Sequence, residues 1–127
     1  MFEQDYIMRQ IKEMTAVIAK VVFGTKVERS FEMLQEVERQ KAFALIEQMR
    51  NGEPKEAVEQ LDRLSDNNTK ENLMIGLEFY AQLSDMDDDF FDENGYSLVT
   101  AKKDFEHFAE KFGLNQMTDL YFGSDEK

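Results

Sequence analysis

The chain has 127 residues, with 27 Asp plus Glu against 15 Lys plus Arg and a formal net charge of −12. That length favours one domain able to bury roughly two-thirds of its surface, enough for a core without metal or disulfide staples. The acid excess excludes the phosphate backbone of nucleic acid as a partner. The absence of cysteine excludes disulfides, zinc–thiolate sites, iron–sulfur clusters and thiol catalysis, and a single histidine excludes a His-rich metal site.

From Tyr6 to Phe23 the apolar residues Ile7, Ile11, Met14, Ile18 and Val21 recur at spacings of four, three, four and three, the helical period. Gly24 stands where a left-handed residue ends a helix, and Lys20 lies in the last turn, where it complements the dipole. The apolar run 16–23 is interrupted by Lys20 and is far shorter than the roughly 20 residues of a bilayer span. With acidic Glu3 and Asp5 ahead of it and no small-residue cleavage pattern behind, it does not read as a signal peptide, and a cytoplasmic protein is expected.

A second helix is predicted from about Ser30 to Arg50, with Phe31, Leu34, Val37, Ala44, Leu45 and Met49 inward and a kink or frayed turn somewhere in polar 36–41. Asn51-Gly52 stops it. Pro54 then takes the first turn of a third helix, Pro54 to Leu64, whose apolar stripe is Ala57, Val58, Leu61 and Leu64. A fourth helix, about Thr69 to Leu83, carries a stripe broad enough for a central position, and Gly76 inside it either weakens the helix by about 1 kcal/mol relative to alanine or marks close approach of a neighbour. The segment 85–95 is an acidic connector containing Phe90-Phe91. Ser97 caps a fifth helix with the aromatic face Ala101, Phe105, Phe108, Ala109 and Phe112, ending at Gly113. A last short helix, about Asn115 to Phe122, is expected to bury Leu120 and one of Tyr121 and Phe122, and the tail 123–127 to fray. The expected fold is all-α: a single domain forming a compact bundle or short solenoid-like array of about five to six antiparallel helices. Its parts are an N-terminal hairpin (1–52), a second hairpin (53–84), the acidic connector (85–97) and the C-terminal helices (98–122).

The opening Phe2-Glu3-Gln4-Asp5-Tyr6-Ile7-Met8-Arg9-Gln10-Ile11, continuing to Ile18-Ala19 and Phe23-Gly24, resembles a family of short, uncharacterised, mainly Gram-positive bacterial proteins of unknown function. The joint Asn51-Gly52-Glu53-Pro54-Lys55-Glu56-Ala57-Val58 is similar to the turn of tetratricopeptide-like helical hairpins. The resemblance covers about the first half of the chain and implies an all-helical protein with no catalytic residues to transfer. No second copy of the joint follows at a period of about 34 residues, so a true repeat array is not implied.

Asp85, Asp87, Asp89, Asp92 and Glu93 are the candidate cation ligands. An EF-hand register starting at Asp85 puts Phe90 where glycine is needed and Tyr96 where glutamate is needed, so at most an irregular site remains, and a solvated loop pinned by Phe90 and Phe91 is the simpler reading. Asp104 and His107 have the i,i+3 spacing of a carboxylate–imidazole pair, but a helix-bundle metal site needs a second histidine. His107 is read instead as a half-exposed side chain with a satisfied hydrogen bond. Asp5, Tyr6 and Arg9 read as an intrahelical ion pair beside a half-buried tyrosine. No nucleophile motif, phosphate loop or dinucleotide fingerprint is present, so no cofactor and no catalysis are expected.

The first helix is apolar over more than one side, and its residues Ile7, Ile11, Met14, Ile18 and Val22 are the candidate interface. The function favoured is a non-catalytic helical module that binds protein, or itself as a homodimer through this helix, with eight methionines suited to adaptable contacts. The alternatives are a cation- or small-molecule-binding protein using 85–93, and an acidic binder of a basic protein.

Overall fold

A computed structural model describes residues 2–122, the side chains of residues 2–5 excepted. Within them the chain is all-helical: α1 (Phe2–Phe23), α2 (Val27–Glu32), α3 (Glu36–Arg50), α4 (Pro54–Leu64), α5 (Lys70–Leu83), α6 (Asp88–Glu93), α7 (Leu98–Lys111) and α8 (Asn115–Phe122). The predicted fraying at 123–127 and the side chain of Asp5 lie outside the described residues.

α5 is the hub. Its residues 72–77, with Phe79, Tyr80 and Leu83, are buried around its whole circumference, as a helix apolar on all sides must be. It packs against α1, α2 and α3, and α1 also meets α2, α7 and α8. The close approach predicted at Gly76 comes from α7: a Cβ built on Gly76 would lie 2.1 Å from the Phe108 ring. The aromatic face of α7 is as expected, with Ala101, Phe105, Phe108 and Ala109 buried. Phe105 and Phe108 meet Tyr80 at ring separations of 5.1 and 5.4 Å.

The helix ends follow local chemistry. Gly24 has φ +76°, and its N–H donates to the Lys20 carbonyl at 2.9 Å, closing α1 with a left-handed residue. Thr69, Asp87 and Ser97 each accept a backbone N–H at the start of α5, α6 and α7. Buried Asn72 donates to the carbonyls of Leu64 and Asn67, which ties the end of α4 to α5.

Four expectations need correction. The predicted second helix is two, α2 and α3, broken at 33–35 rather than bent within 36–41. Arg39 explains the position: its guanidinium donates to the Glu32 and Leu34 carbonyls that α2 leaves open and to the Glu36 carboxylate. The break rotates α3, so Ala42 and Ile46 are buried while Val37 and Ala44 face water. The acidic connector is not a loop: Asp87 caps a short helix, α6, which drives Phe90 and Phe91 into the core. With both additions the described residues form eight helices, not five or six. α1 also packs chiefly on α5 rather than folding back on α3, so the first true hairpin is α3–α4 around the Asn51–Pro54 turn. Finally, α8 buries Thr118 and Phe122, and Leu120 is 87% exposed. Leu120 lies about 200° around the helix from Phe122, and the four-residue spacing of 118 and 122 chooses the opposite stripe.

Candidate functional site

Two surfaces emerge from this packing. The first is a polar cleft between α4, α5 and α7. The amphipathic α4 turns Asp62 toward α7, and α7 returns Asp104, His107 and Lys111 at spacings of three and four, one face of a helix. His107 Nε2 lies 3.3 Å from Asp62 Oδ1, and Lys111 Nζ 3.0 Å from the same oxygen. Lys111 also donates to the Asp62 carbonyl (2.8 Å) and to Asp66 Oδ1 (2.6 Å), pinning the end of α7 to the end of α4. Burial opposes the charge on Lys111, but its bonds to Asp66 and Asp62 prevail and hold its pKa above the ordinary lysine value.

One turn toward the start of α7, Asp104 Oδ2 accepts the Tyr96 hydroxyl at 2.7 Å. Burial raises the Asp104 pKa against the opposing pull of that hydrogen bond and of His107. Tyr80, 1% exposed, rises from α5 beneath. Burial, and then the charges of Asp104 and Asp62, push its phenol well above the usual tyrosine range, and Tyr96 is shifted the same way by burial, by neighbouring Tyr80 and by its hydrogen-bonded Asp104. Between these groups lies a cavity of about 220 Å³, bounded on its apolar side by Val58, Leu61 and Phe108. The cavity is lined by a phenol that resists ionisation, by the carboxylates of Asp62 and Asp104 and by the imidazole of His107, all groups that can hydrogen-bond a polar ligand.

The second surface is the outer flank of α1. Tyr6, Val17 and Val21 share this side of the helix, and Val21 is 66% exposed. α8 lies alongside: the Tyr121 hydroxyl hydrogen-bonds to Glu13, one turn before Val17, which pushes its pKa up to about 12. Tyr121 therefore joins this flank from α8, and the residue before it, Leu120, is exposed.

The residues named from sequence fall differently. Ile11, Met14 and Ile18 are fully buried in the chain's own core, and Ile7 and Val22 pack against that core. Ile11, Met14 and Ile18 are therefore not on the surface of the folded chain, while Ile7 and Val22 remain partly exposed. The wide apolar perimeter has a simpler cause: α1 touches α2, α5, α7 and α8 at once. The acidic candidates are also dispersed. Asp85 pairs with Lys12 at 2.8 Å, Asp87 is consumed as the α6 cap, and Asp89, Asp92 and Glu93 lie exposed. Among the described residues no three acidic or histidine side chains converge where they could hold a metal ion. His107 is half exposed and paired, and Tyr6 is half exposed. Sequence reasoning noticed Asp104 and His107 but missed Asp62, Tyr80 and Tyr96. Those three are 18 or more residues from their partners in the case of Asp62 and Tyr80, and Tyr96 precedes the helix altogether; no local pattern joins them.

Fold and cleft together define an all-helical protein built around one central helix. The chain belongs to a family of unknown function (DUF6483), whose model matches residues 1–113. That match spans the cleft and all of α1 to α7, and reaches well beyond the half of the chain that carried the sequence resemblance. Nothing among curated proteins and nothing among solved structures matches it. No helix among the described residues is long and apolar enough to cross a membrane.

Proposed function

We propose that the protein is a non-catalytic helical module that works by binding protein, and that it associates with a second copy of itself through the outer flank of α1 and α8. The observation that carries this reading is the run of exposed apolar side chains, Tyr6, Val17, Val21, Leu120 and Tyr121, on two adjoining helices. Large apolar side chains grouped on a surface favour a partner that removes them from water. Charge points to the same place. α1 carries Arg9, Lys12 and Lys20 against Glu3, Asp5 and Glu13, so it has no net charge on a chain of net charge −12. Two copies approaching through this flank meet less like-charge repulsion than through any acidic face. The cysteine-free composition favours a reducing, cytoplasmic setting, and the α3–α4 hairpin favours a tetratricopeptide-like style of helix pairing.

Size-exclusion chromatography with light scattering tests the reading. The parent chain is expected to run as a dimer at micromolar concentration, and Val21→Glu and Leu120→Glu as monomers with unchanged helical circular dichroism. A monomeric parent at every accessible concentration, or a dimer indifferent to both substitutions, refutes it.

A further inference from the structure

The α4–α5–α7 cleft is built with one polar group too many. Tyr80 is 1% exposed, yet its hydroxyl makes no hydrogen bond within the protein, although it sits within electrostatic reach of Asp62 and Asp104. No buried polar side-chain atom among the described residues is sealed away without a partner. The Tyr80 oxygen therefore keeps an opening, and the cavity it lines is that opening. Asp104 is in a similar position. Tyr96 occupies one carboxylate oxygen, the other has no donor, and no described lysine or arginine reaches it within ion-pair distance. A half-buried carboxylate without a cation, facing an unsatisfied buried hydroxyl, is an arrangement that a ligand relieves.

We propose that this cleft binds a small organic cation, a primary amine whose ammonium group sits between Asp104 and Tyr80 and whose carbon chain lies against Val58, Leu61 and Phe108. Each feature selects against another occupant. Two carboxylates, Asp62 and Asp104, repel an anion. Lys111 is shared between Asp62 and Asp66, and Glu59 and Arg63 at the mouth are an i,i+4 pair of opposite sign. The cleft keeps an excess of negative charge, and Asp104 is the carboxylate in it that no lysine or arginine pairs, which suits a cation. An ammonium offers three donors, enough for the free Asp104 oxygen and the lone pairs of Tyr80. A bare metal ion would need more ligating oxygens than the cleft brings together. The cavity, about 220 Å³, is several times the about 30 Å³ share of one water, and most of its boundary is apolar.

The test is a titration of the whole chain at neutral pH with n-butylamine, followed through the NMR resonances of His107, the chain's only histidine and a wall of the cavity. A saturating shift is expected, with n-butanol binding more weakly by about tenfold or more, the scale of one charged hydrogen bond. Asp104→Asn keeps an acceptor for Tyr96 and should lose amine affinity by a similar factor of about tenfold. Tyr80→Phe, which removes only the unpartnered hydroxyl, should lose it severalfold while retaining the fold. Leu120→Glu should bind the amine as the parent does, whatever its oligomeric state. A shift that never saturates, equal responses to amine and alcohol, or full affinity in Asp104→Asn would leave water as the only occupant and overturn the proposal.

Discussion

Substituting Gly76 by alanine sets two effects against each other, and the packing decides the sign. In an exposed helix interior, alanine is more favourable than glycine by about 1 kcal/mol. At this position the new Cβ would stand 2.1 Å from Cε1 and Cζ of Phe108. Ordinary carbon contacts lie at about 3.5–4.0 Å, so the ring must retreat by about 1.5 Å. Three aromatic neighbours restrict that retreat: Phe108 is 3% exposed and packed against Tyr80, Phe105 and Phe112 at ring separations of 5.4, 6.3 and 5.0 Å, with the cleft on its remaining side. Overpacking of this kind costs about 1–3 kcal/mol, and a ring held by three others belongs at the upper end. The net expectation for Gly76→Ala is a loss of about 1–2 kcal/mol, read as a lower urea midpoint at unchanged slope in circular dichroism. In a Phe108→Leu background the obstruction is reduced, and the same alanine should become neutral or stabilising, giving a coupling of about 2 kcal/mol in the double-mutant cycle. If Gly76→Ala raises the stability of the parent chain, α7 does not approach α5 through this residue and the reasoning fails.

Two further substitutions probe the cleft and the acidic helix. Because burial raises the Asp104 pKa, the native state keeps a proton that the unfolded chain releases. This group's contribution to stability is therefore greatest below the unfolded value of about 3.9 and declines as pH rises through the higher folded value. Asp104→Asn should remove that decline, so its thermal midpoint should gain on the parent's from about pH 4 upward; parallel curves would contradict the assignment. Asp87→Ala removes the cap whose Oδ1 accepts the Phe90 N–H at 3.0 Å, and should cost about 1 kcal/mol in denaturant titration. Asp89→Ala, two positions past the cap, should cost less, and equal effects would show that α6 does not depend on its cap.

Much of the architecture was legible in the residues because it is local. The three- and four-residue spacing of Ile7, Ile11, Met14 and Ile18 specifies a helix and its inward face, the Asn51–Pro54 turn joins two helices, and Ser97 and Thr69 start two more through bonds that span only three residues. Gly76 left two readings open, a weakened helix or a close neighbour, and the packing of Phe108 against it decides for the neighbour. The number of helices was less legible. The break at 33–35 depends on one guanidinium reaching back to carbonyls five and seven residues away, and the helical state of 88–93 on two phenylalanines finding a core.

The sequence by itself determined an all-helical chain, the inward stripe of most helices and the absence of thiol chemistry, because periodicity, capping and composition act within a turn or two of chain. Only the tertiary structure decided that Ile11, Met14 and Ile18 of α1 are covered by its own neighbours while Val17 and Val21 stay exposed, that the acids of 85–93 are dispersed, and that Asp62, Tyr80, Tyr96, Asp104 and His107 share one cleft. Those outcomes depend on how helices distant in sequence approach one another, and a charge or hydroxyl carries no local mark of the partner it will meet across such a seam.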